Sequence, residues 1–130
     1  MRPTLLIALC AITLGLGSCG GDPSFECGTL EVVLKGVESG QELRYPMGGW
    51  HEARTGYDLV RVRLEPRQGA RNPAECDLAL GDAQGNRFEP VTSWWQLTGP
   101  GVLVWEFEVP DTTSGLQLLL PDGTRVDLDL

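Results

Sequence analysis

His51 is the single histidine of the chain, so every histidine-based mechanism must be built on it. A hydrolytic triad also needs an activated nucleophile, and the sequence offers neither a Gly-x-Ser-x-Gly elbow nor a spare cysteine for attack. The alternative is an exposed histidine in a glycine loop, because Gly48, Gly49 and Trp50 precede it. The sequence therefore predicts no catalytic residue, and we expect the protein not to be an enzyme.

Three aspartates near the end of the chain could bind a metal. Asp127 and Asp129 alternate with apolar residues, so they share the solvent-facing side of a last strand. Asp122, in the preceding turn, could join them in a weak calcium site, because calcium prefers oxygen ligands. Solvated carboxylates are the alternative that the pattern favours, and we predict neither a metal nor a cofactor.

The chain has four tryptophans, which are many for so small a protein. Trp105 alternates with other apolar residues and is predicted to lie in the core. Trp94 and Trp95 are adjacent, and neighbours on a strand point to opposite faces, so one of them could stay exposed. Exposed aromatic side chains often mark binding surfaces. We predict a candidate binding surface of Trp50, His51, Trp94 and Trp95; the alternative is that the tryptophans cover the ends of the fold.

The N-terminal segment is typical of a secretory signal peptide. Met1 and Arg2 precede an apolar run that ends near Leu16 and is shorter than the about 20 residues that span a bilayer. The run closes in Leu16-Gly-Ser-Cys19, which resembles the bacterial lipoprotein box and implies lipidation of Cys19 after removal of residues 1–18. An ordinary secretory signal that leaves Cys19 as a plain thiol is the alternative. Gly20 after the cysteine implies the outer membrane if the host has two membranes.

Two further cysteines, Cys27 and Cys76, remain once Cys10 is removed with the signal and Cys19 carries lipid. Outside the cytoplasm, leftover cysteines usually pair. A bridge would close a loop of about 50 residues and stabilise the fold by roughly 4 kcal/mol in the chain-entropy model. Two buried free thiols are the alternative.

Charge and length narrow the classes of partner and architecture. The 130 residues include 10 basic and 18 acidic side chains, a formal charge of −8. Removal of the signal takes away one arginine, which makes the net charge more negative. An acidic domain is repelled by nucleic acid, so we expect no nucleic-acid partner. Residues 19–26, rich in glycine, aspartate and proline, are predicted to be a lipidated tether. Residues 27–130 are long enough for one domain.

From residue 28 onward the hydrophobic pattern has period two with frequent turn signals, which predicts about eight short antiparallel strands in an all-β sandwich. The clearest strands are Thr29 to Val37, Tyr57 to Glu65 and Val102 to Val109. Glu38-Ser-Gly40 is predicted to turn the chain. Two segments, Arg44 to Arg54 and Val91 to Pro100, are predicted to be loops that carry the binding residues.

Four stretches carry a family resemblance: Gly28-Thr-Leu-Glu-Val-Val, Gly56-Tyr-Asp-Leu-Val-Arg-Val-Arg-Leu, Asp82-Ala-Gln-Gly-Asn-Arg-Phe and Val104-Trp-Glu-Phe-Glu-Val-Pro110. Together they resemble the immunoglobulin-like domain of unknown function that is common in secreted and lipid-anchored bacterial proteins. The resemblance covers about residues 27–130. It implies an immunoglobulin-like antiparallel β-sandwich and supplies no catalytic residues.

The sequence thus predicts a lipid-anchored binding module of the cell envelope, attached to the membrane through Cys19 and facing outside the cytoplasm. We expect an envelope protein as its partner. The alternative is a carbohydrate-binding module that uses exposed tryptophans on an envelope glycan.

Overall fold

A computed structural model describes residues 24–45, 48–67, 76–96 and 101–128. The predicted signal peptide, Cys19 and Asp129 lie outside the described residues. All regular structure in the described ranges is β-strand, as the period-two pattern predicts. No helix in these ranges is long and apolar enough to cross a membrane.

The described residues form eleven strands. In chain order they are β1 (Ser24–Cys27), β2 (Leu30–Gly40), β3 (Glu42–Arg44), β4 (Trp50–Glu52), β5 (Tyr57–Pro66), β6 (Ala79–Gly81), β7 (Arg87–Phe88), β8 (Thr92–Gln96), β9 (Val102–Pro110), β10 (Gln117–Leu119) and β11 (Arg125–Asp127).

These strands form two main sheets and one separate hairpin, and every pair is antiparallel. A five-stranded sheet has the order β1-β2-β5-β9-β8, and a four-stranded sheet has the order β11-β10-β6-β7. Strands β3 and β4 pair only with each other among the described strands. The chain changes sheet between β5 and β6, between β7 and β8, and between β9 and β10.

One apolar core receives side chains from both sheets. On β5 and β9, alternate residues such as Val62 and Trp105 are buried in it, and Leu80 and Leu118 contribute from the four-stranded sheet. Strand alternation produces this arrangement, because residues two apart share a face. An all-β architecture with two antiparallel sheets around a shared core is consistent with a β-sandwich.

The side chains of Cys27 and Cys76 meet at disulfide distance, with their Cα atoms 5.0 Å apart. Cys27 ends β1 in the five-stranded sheet, and Cys76 precedes β6 in the four-stranded sheet. Both residues are fully buried in the core. The bond therefore ties the two sheets together at this end of the molecule.

A β-bulge explains why β2 continues where a turn was predicted. The pairing of β2 with β5 shifts register between Leu34 and Gly36, so one extra residue, Lys35, is inserted. After the bulge, Val37 packs on the core and Glu38 lies on the opposite face. The predicted turn at residues 38–40 is therefore wrong, and these residues extend the sheet.

Three other segments differ from the sequence prediction. The segment from Arg44 to Arg54 contains β4, and the segment from Val91 to Pro100 contains β8. Neither strand has the alternating apolar pattern that would identify it, because each has only three to five residues, Trp-His-Glu in β4 and Thr-Ser-Trp-Trp-Gln in β8. Strand β1 also begins at Ser24, three residues inside the stretch assigned to the tether.

Candidate functional site

The face of the five-stranded sheet that points away from the core carries a row of complementary charges. Glu38 on β2 is opposite Arg61 on β5, and Arg61 is opposite Glu106 on β9. Cross-strand neighbours on one face have Cβ atoms only about 5 Å apart, so their charges interact directly. The strand register alone thus places opposite charges next to each other on the outer face.

Arg61 and Glu106 are both withdrawn from water. Their side chains are 1% and 0% exposed. Arg61 Nε and Nη2 both donate to Glu106 Oε2, at 2.8 and 2.6 Å, and Nη1 donates to the main-chain oxygen of Arg44 at 2.7 Å. A buried ion pair needs such additional hydrogen bonds to offset the cost of desolvation. The Arg44 contact comes from the β3–β4 hairpin, so this hairpin belongs to the charge site.

His51 supplies the remaining bond to Glu106. Its Nδ1 lies 2.9 Å from Glu106 Oε1. Because an ionised carboxylate only accepts, Nδ1 carries the hydrogen, and in the neutral ring Nε2 is the unprotonated nitrogen. The His51 side chain is 34% exposed. The imidazole therefore joins the hairpin to the sheet and closes the hydrogen-bond shell of the buried carboxylate.

Two aromatic rings flank the Arg61 guanidinium. Its Cζ lies 5.3 Å from the centre of the Tyr45 ring and 5.7 Å from that of the Trp94 ring. The two rings meet edge to face with their centres 5.8 Å apart. Burial, and then the nearby Glu106 carboxylate, raise the pKa of Tyr45, while Arg61 opposes this shift. Tyr45 and Trp94 thus shield the buried charge from solvent.

A second ion pair lies where the chain leaves the hairpin. Arg54 binds Glu108 through its main-chain N–H at 3.0 Å and through Nε at 2.6 Å, and its guanidinium lies 4.1 Å above the Tyr57 ring. The Arg54 main-chain hydrogen bond, followed by its side chain, lowers the pKa of Glu108. Glu108 in turn raises the pKa of Arg54. This pair fixes the chain between the hairpin and β5.

The turn of the hairpin depends on glycine. Gly48 and Gly49 have φ angles of +100° and +86°, which side chains with a Cβ rarely adopt. The Tyr45 N–H donates to the Gly49 oxygen at 3.0 Å, and the Gly48 N–H donates to the Tyr45 oxygen at 3.1 Å. The turn therefore sets the β3–β4 register, in which Arg44 is opposite Trp50.

The two sides of the hairpin differ. Leu43 is buried against the sheet beside His51, whereas the other side faces solvent. We call this solvent-facing side the hairpin surface; it consists of Glu42, Arg44, Trp50 and Glu52. Trp50 is 57% exposed, and Val91 is the other large exposed hydrophobic residue in the described ranges. The hairpin surface is therefore one large exposed aromatic side chain beside three charged residues.

The other predicted tryptophans do not join it. Trp94 lies on the outer face under the hairpin, and Trp95 packs against the core from the inner face. Both are half-buried. Trp95 also lies so close to Gly101 that a Cβ there would come within 2.4 Å of the ring. The structure thus brings Trp50, His51 and Trp94 to one hairpin, on different sides of it, and places Trp95 elsewhere.

The candidate calcium ligands are engaged in local hydrogen bonds. Asp122 accepts the Thr124 N–H at 2.9 Å, and the hydrogen bonds from Thr124 lower the pKa of Asp122. Asp127 accepts a hydrogen bond from the Gln117 side chain. In the part of the chain that the structure describes, no three potential ligands cluster.

Arg61, Glu106 and Tyr45 were not identified from the sequence. Arg61 alternates with Val60 and Val62, and polar residues on the alternate face of a strand normally lie in water, so the pattern does not indicate its burial. The sequence does contain a signal: one long strand carries Arg61 and another carries Glu106 on its polar face, and the two charges are opposite. What it does not contain is a hydrophobic pattern in β4 that would predict a cover for these charges.

Comparison with known proteins adds no relative: no protein-family model, no curated protein and no solved structure matches this chain.

Proposed function

We propose that this protein is a lipid-anchored binding module of the cell envelope that docks a protein partner through the hairpin surface. The observation that carries the proposal is Trp50, which is 57% exposed on a face whose other members are charged. Energetic hot spots in protein interfaces are enriched in tryptophan, and polar neighbours that exclude water surround them. The partner is expected to offer an apolar socket with a basic rim, because Glu42 and Glu52 exceed the single Arg44 in charge.

The rigidity of the hairpin supports the same function. Arg61, Glu106 and His51 fix its inner side with bonds of 2.7 to 2.9 Å. A preorganised aromatic anchor loses little conformational freedom on binding, so more of the contact energy appears as affinity. The imidazole of His51 is used in this support, which favours binding over catalysis as its role.

A protein partner is favoured over a glycan by the positions of the tryptophans. A sugar platform needs coplanar exposed rings, whereas Trp94 and Trp95 are half-buried and point to opposite faces of β8. Trp50 alone offers an open ring. Carbohydrate binding is therefore the alternative function, and the experiment below distinguishes it from protein binding.

The envelope location and the fold family are parts of this proposal. The lipoprotein box at Cys19 supports a membrane anchor, and the acidic composition argues against a nucleic-acid partner. The three changes of sheet along the chain support an immunoglobulin-like sandwich with Greek-key connections. In cells, a Cys19→Ser variant is expected to move from the membrane fraction to the soluble fraction.

Site-specific photo-crosslinking in the producing cells tests the partner. The full chain carries a benzophenone amino acid in place of Arg44, which is opposite Trp50, or in place of Arg125 on the other sheet as the matched position. We expect position 44 to capture one envelope protein that position 125 does not. Truncation of a hot spot costs about 2 kcal/mol or more, so Trp50→Ala should weaken the affinity about thirtyfold and lower the crosslink yield clearly.

The control removes the other exposed hydrophobic residue, since Val91→Ala should leave the crosslink unchanged. A crosslink that survives Trp50→Ala, or appears equally from both positions, contradicts the proposal. Saturable quenching of tryptophan emission by envelope oligosaccharides, lost in Trp50→Ala and accompanied by no protein crosslink, would support the carbohydrate module instead.

A further inference from the structure

A small cavity opens at one end of the molecule, between the two sheets and apart from the hairpin. Its volume is about 120 Å³. Val60, Val109 and Leu116 form apolar walls, and Asp58 and three hydroxyl residues provide polar groups. The hydroxyl residues are Ser39, Thr113 and Ser114. The cavity thus combines one carboxylate, several hydroxyls and an apolar floor.

Asp58 is unusual because of the face it occupies. It is two residues from Val60 on β5 and shares the inward side of the strand, where the other members are apolar. The carboxylate is half-buried. Within the described part of the chain it forms no hydrogen bond and no ion pair, whereas Asp82, Glu106 and Glu108 are all bonded. Because the side chain keeps partial contact with solvent, its oxygens are free to accept hydrogen bonds from a cationic group that enters the cavity.

The lining favours an ammonium ion over a metal ion. Calcium takes six to eight oxygen ligands and is usually held by several carboxylates, but this cavity contains only Asp58. An ammonium group has three donors, which match one carboxylate and adjacent hydroxyl acceptors. The aliphatic chain of an alkylammonium would lie along the apolar walls, as lysine stems do on protein surfaces.

Size leads to the same class of ligand. A cavity of about 120 Å³ has the volume of about four water molecules, which suits the end of a short alkylammonium chain. Ligand sites for larger organic molecules enclose roughly 300–1,000 Å³. The net charge of −8 also concentrates cations near the protein surface.

We propose that this cavity is a binding site for a primary ammonium group on an aliphatic chain, with Asp58 as the counter-ion and Ser39, Thr113 and Ser114 as hydroxyl acceptors. The ammonium group belongs either to a free alkylamine or to a lysine side chain of a polypeptide. The site is independent of the hairpin surface.

Titration of the full chain in a non-ionic detergent, followed by amide NMR shifts, tests the site. The probes are n-butylammonium chloride, the peptide acetyl-Gly-Lys-Gly-amide, 1-butanol and calcium chloride. We expect saturable shifts at Ser39, Val109 and Ser114 with butylammonium or with the peptide, at a dissociation constant on the order of millimolar. Asp58→Asn should weaken this binding at least about tenfold, because the charge-assisted hydrogen bond is lost.

Asp111→Asn is the matched control: it makes the same change in net charge just outside the cavity, at an exposed residue. Its affinity should equal that of the unsubstituted chain. Binding of butylammonium alone assigns the site to free amines, and binding of the peptide assigns it to lysine side chains. The proposal would be overturned if no probe gave a saturable shift, or if both variants lost affinity for butylammonium equally. It would also be overturned if 1-butanol gave the same shifts as butylammonium, or if calcium gave shifts that disappeared in Asp58→Asn.

Discussion

Two charges, Arg61 and Glu106, are removed from water on the outer face of a sheet whose core lies on the other side. Burial of an ion costs several kcal/mol even after relaxation, so such a pair is stable only when each polar atom is bonded. Glu106 meets this condition through Arg61 and His51, and Arg61 through Glu106 and the Arg44 main chain. Apolar residues of similar volume often stabilise a fold about as well as such a pair does, which argues that the network serves the position of the hairpin.

Removal of one partner of the ion pair should therefore lower the stability of the fold strongly. Glu106→Gln leaves the Arg61 guanidinium buried beside a neutral side chain, with Glu38 as the nearest carboxylate at 3.8 Å. We expect the free energy of unfolding to fall by about 3–5 kcal/mol, measured by urea denaturation at pH 7.

The matched control for this substitution is Glu65→Gln on the outer face of β5, which should change stability by about 0.5 kcal/mol or less. Replacement of both charges, Arg61→Met with Glu106→Leu, should recover most of the loss, because no uncompensated ion remains. A loss below 1 kcal/mol in Glu106→Gln, or no recovery in the double variant, would show that the pair is not the buried support described above.

At the scale of elements, the turn between β6 and β7 shows how one carboxylate organises a hairpin. Asp82 Oδ1 accepts the N–H groups of Gln84 and Asn86 at 2.9 and 2.8 Å, and Oδ2 accepts the Asn86 side-chain amide at 2.8 Å. These bonds, the Asn86 side chain first, lower the pKa of Asp82. The charged carboxylate accepts all three bonds without having to place a proton on either oxygen, so these bonds favour the ionised form.

A carboxylate with a lowered native pKa stabilises the fold above its unfolded pKa of about 3.9 and loses this effect as the pH falls through the native value. Asp82→Asn should therefore lower the melting temperature at pH 7, and the difference from the unsubstituted chain should shrink as the pH is lowered below about 4. Thermal unfolding from pH 7 to pH 2 measures this. Asp77→Asn, at an exposed aspartate outside the turn, is the control and should leave the melting temperature at pH 7 close to that of the unsubstituted chain. If the difference in melting temperature between Asp82→Asn and the unsubstituted chain stayed constant with pH, the charged Asp82 carboxylate would not be what stabilises the turn.

Elements with strict alternation were predictable, and those held by long-range polar contacts were not. Val60, Val62 and Leu64 repeat every second residue, so β5 could be placed within one residue of its end. Trp50-His-Glu52 has no such repeat, and its strand exists because Gly48 and Gly49 turn the chain and Glu106 bonds His51. The bulge at Lys35 was equally invisible, since its cause lies in pairing with β5. The sequence thus predicted Trp50 as a binding residue from its type, but it did not predict the strand β4 or the polar contacts that hold the hairpin in place.

For the whole molecule, the feature that joins both sheets independently of side-chain packing is the bond between Cys27 and Cys76. It links β1 to the segment before β6 across a sequence separation of 49 residues. A crosslink over such a loop restricts the unfolded chain and stabilises the fold by about 4 kcal/mol in the chain-entropy model. Because the core of a domain this short contributes modest stability, this is a large share of the total.

The double variant Cys27→Ala with Cys76→Ala should therefore unfold at lower urea, with a loss of about 4 kcal/mol in the free energy of unfolding. Alanine is chosen because a serine hydroxyl would be buried without a partner in the core. Reductant supplies the internal control: it should destabilise the unsubstituted chain by a similar amount and leave the double variant unchanged. If alkylation of the non-reduced protein labelled both thiols, or if reductant had no effect on unfolding, the two sheets would be held together by core packing alone.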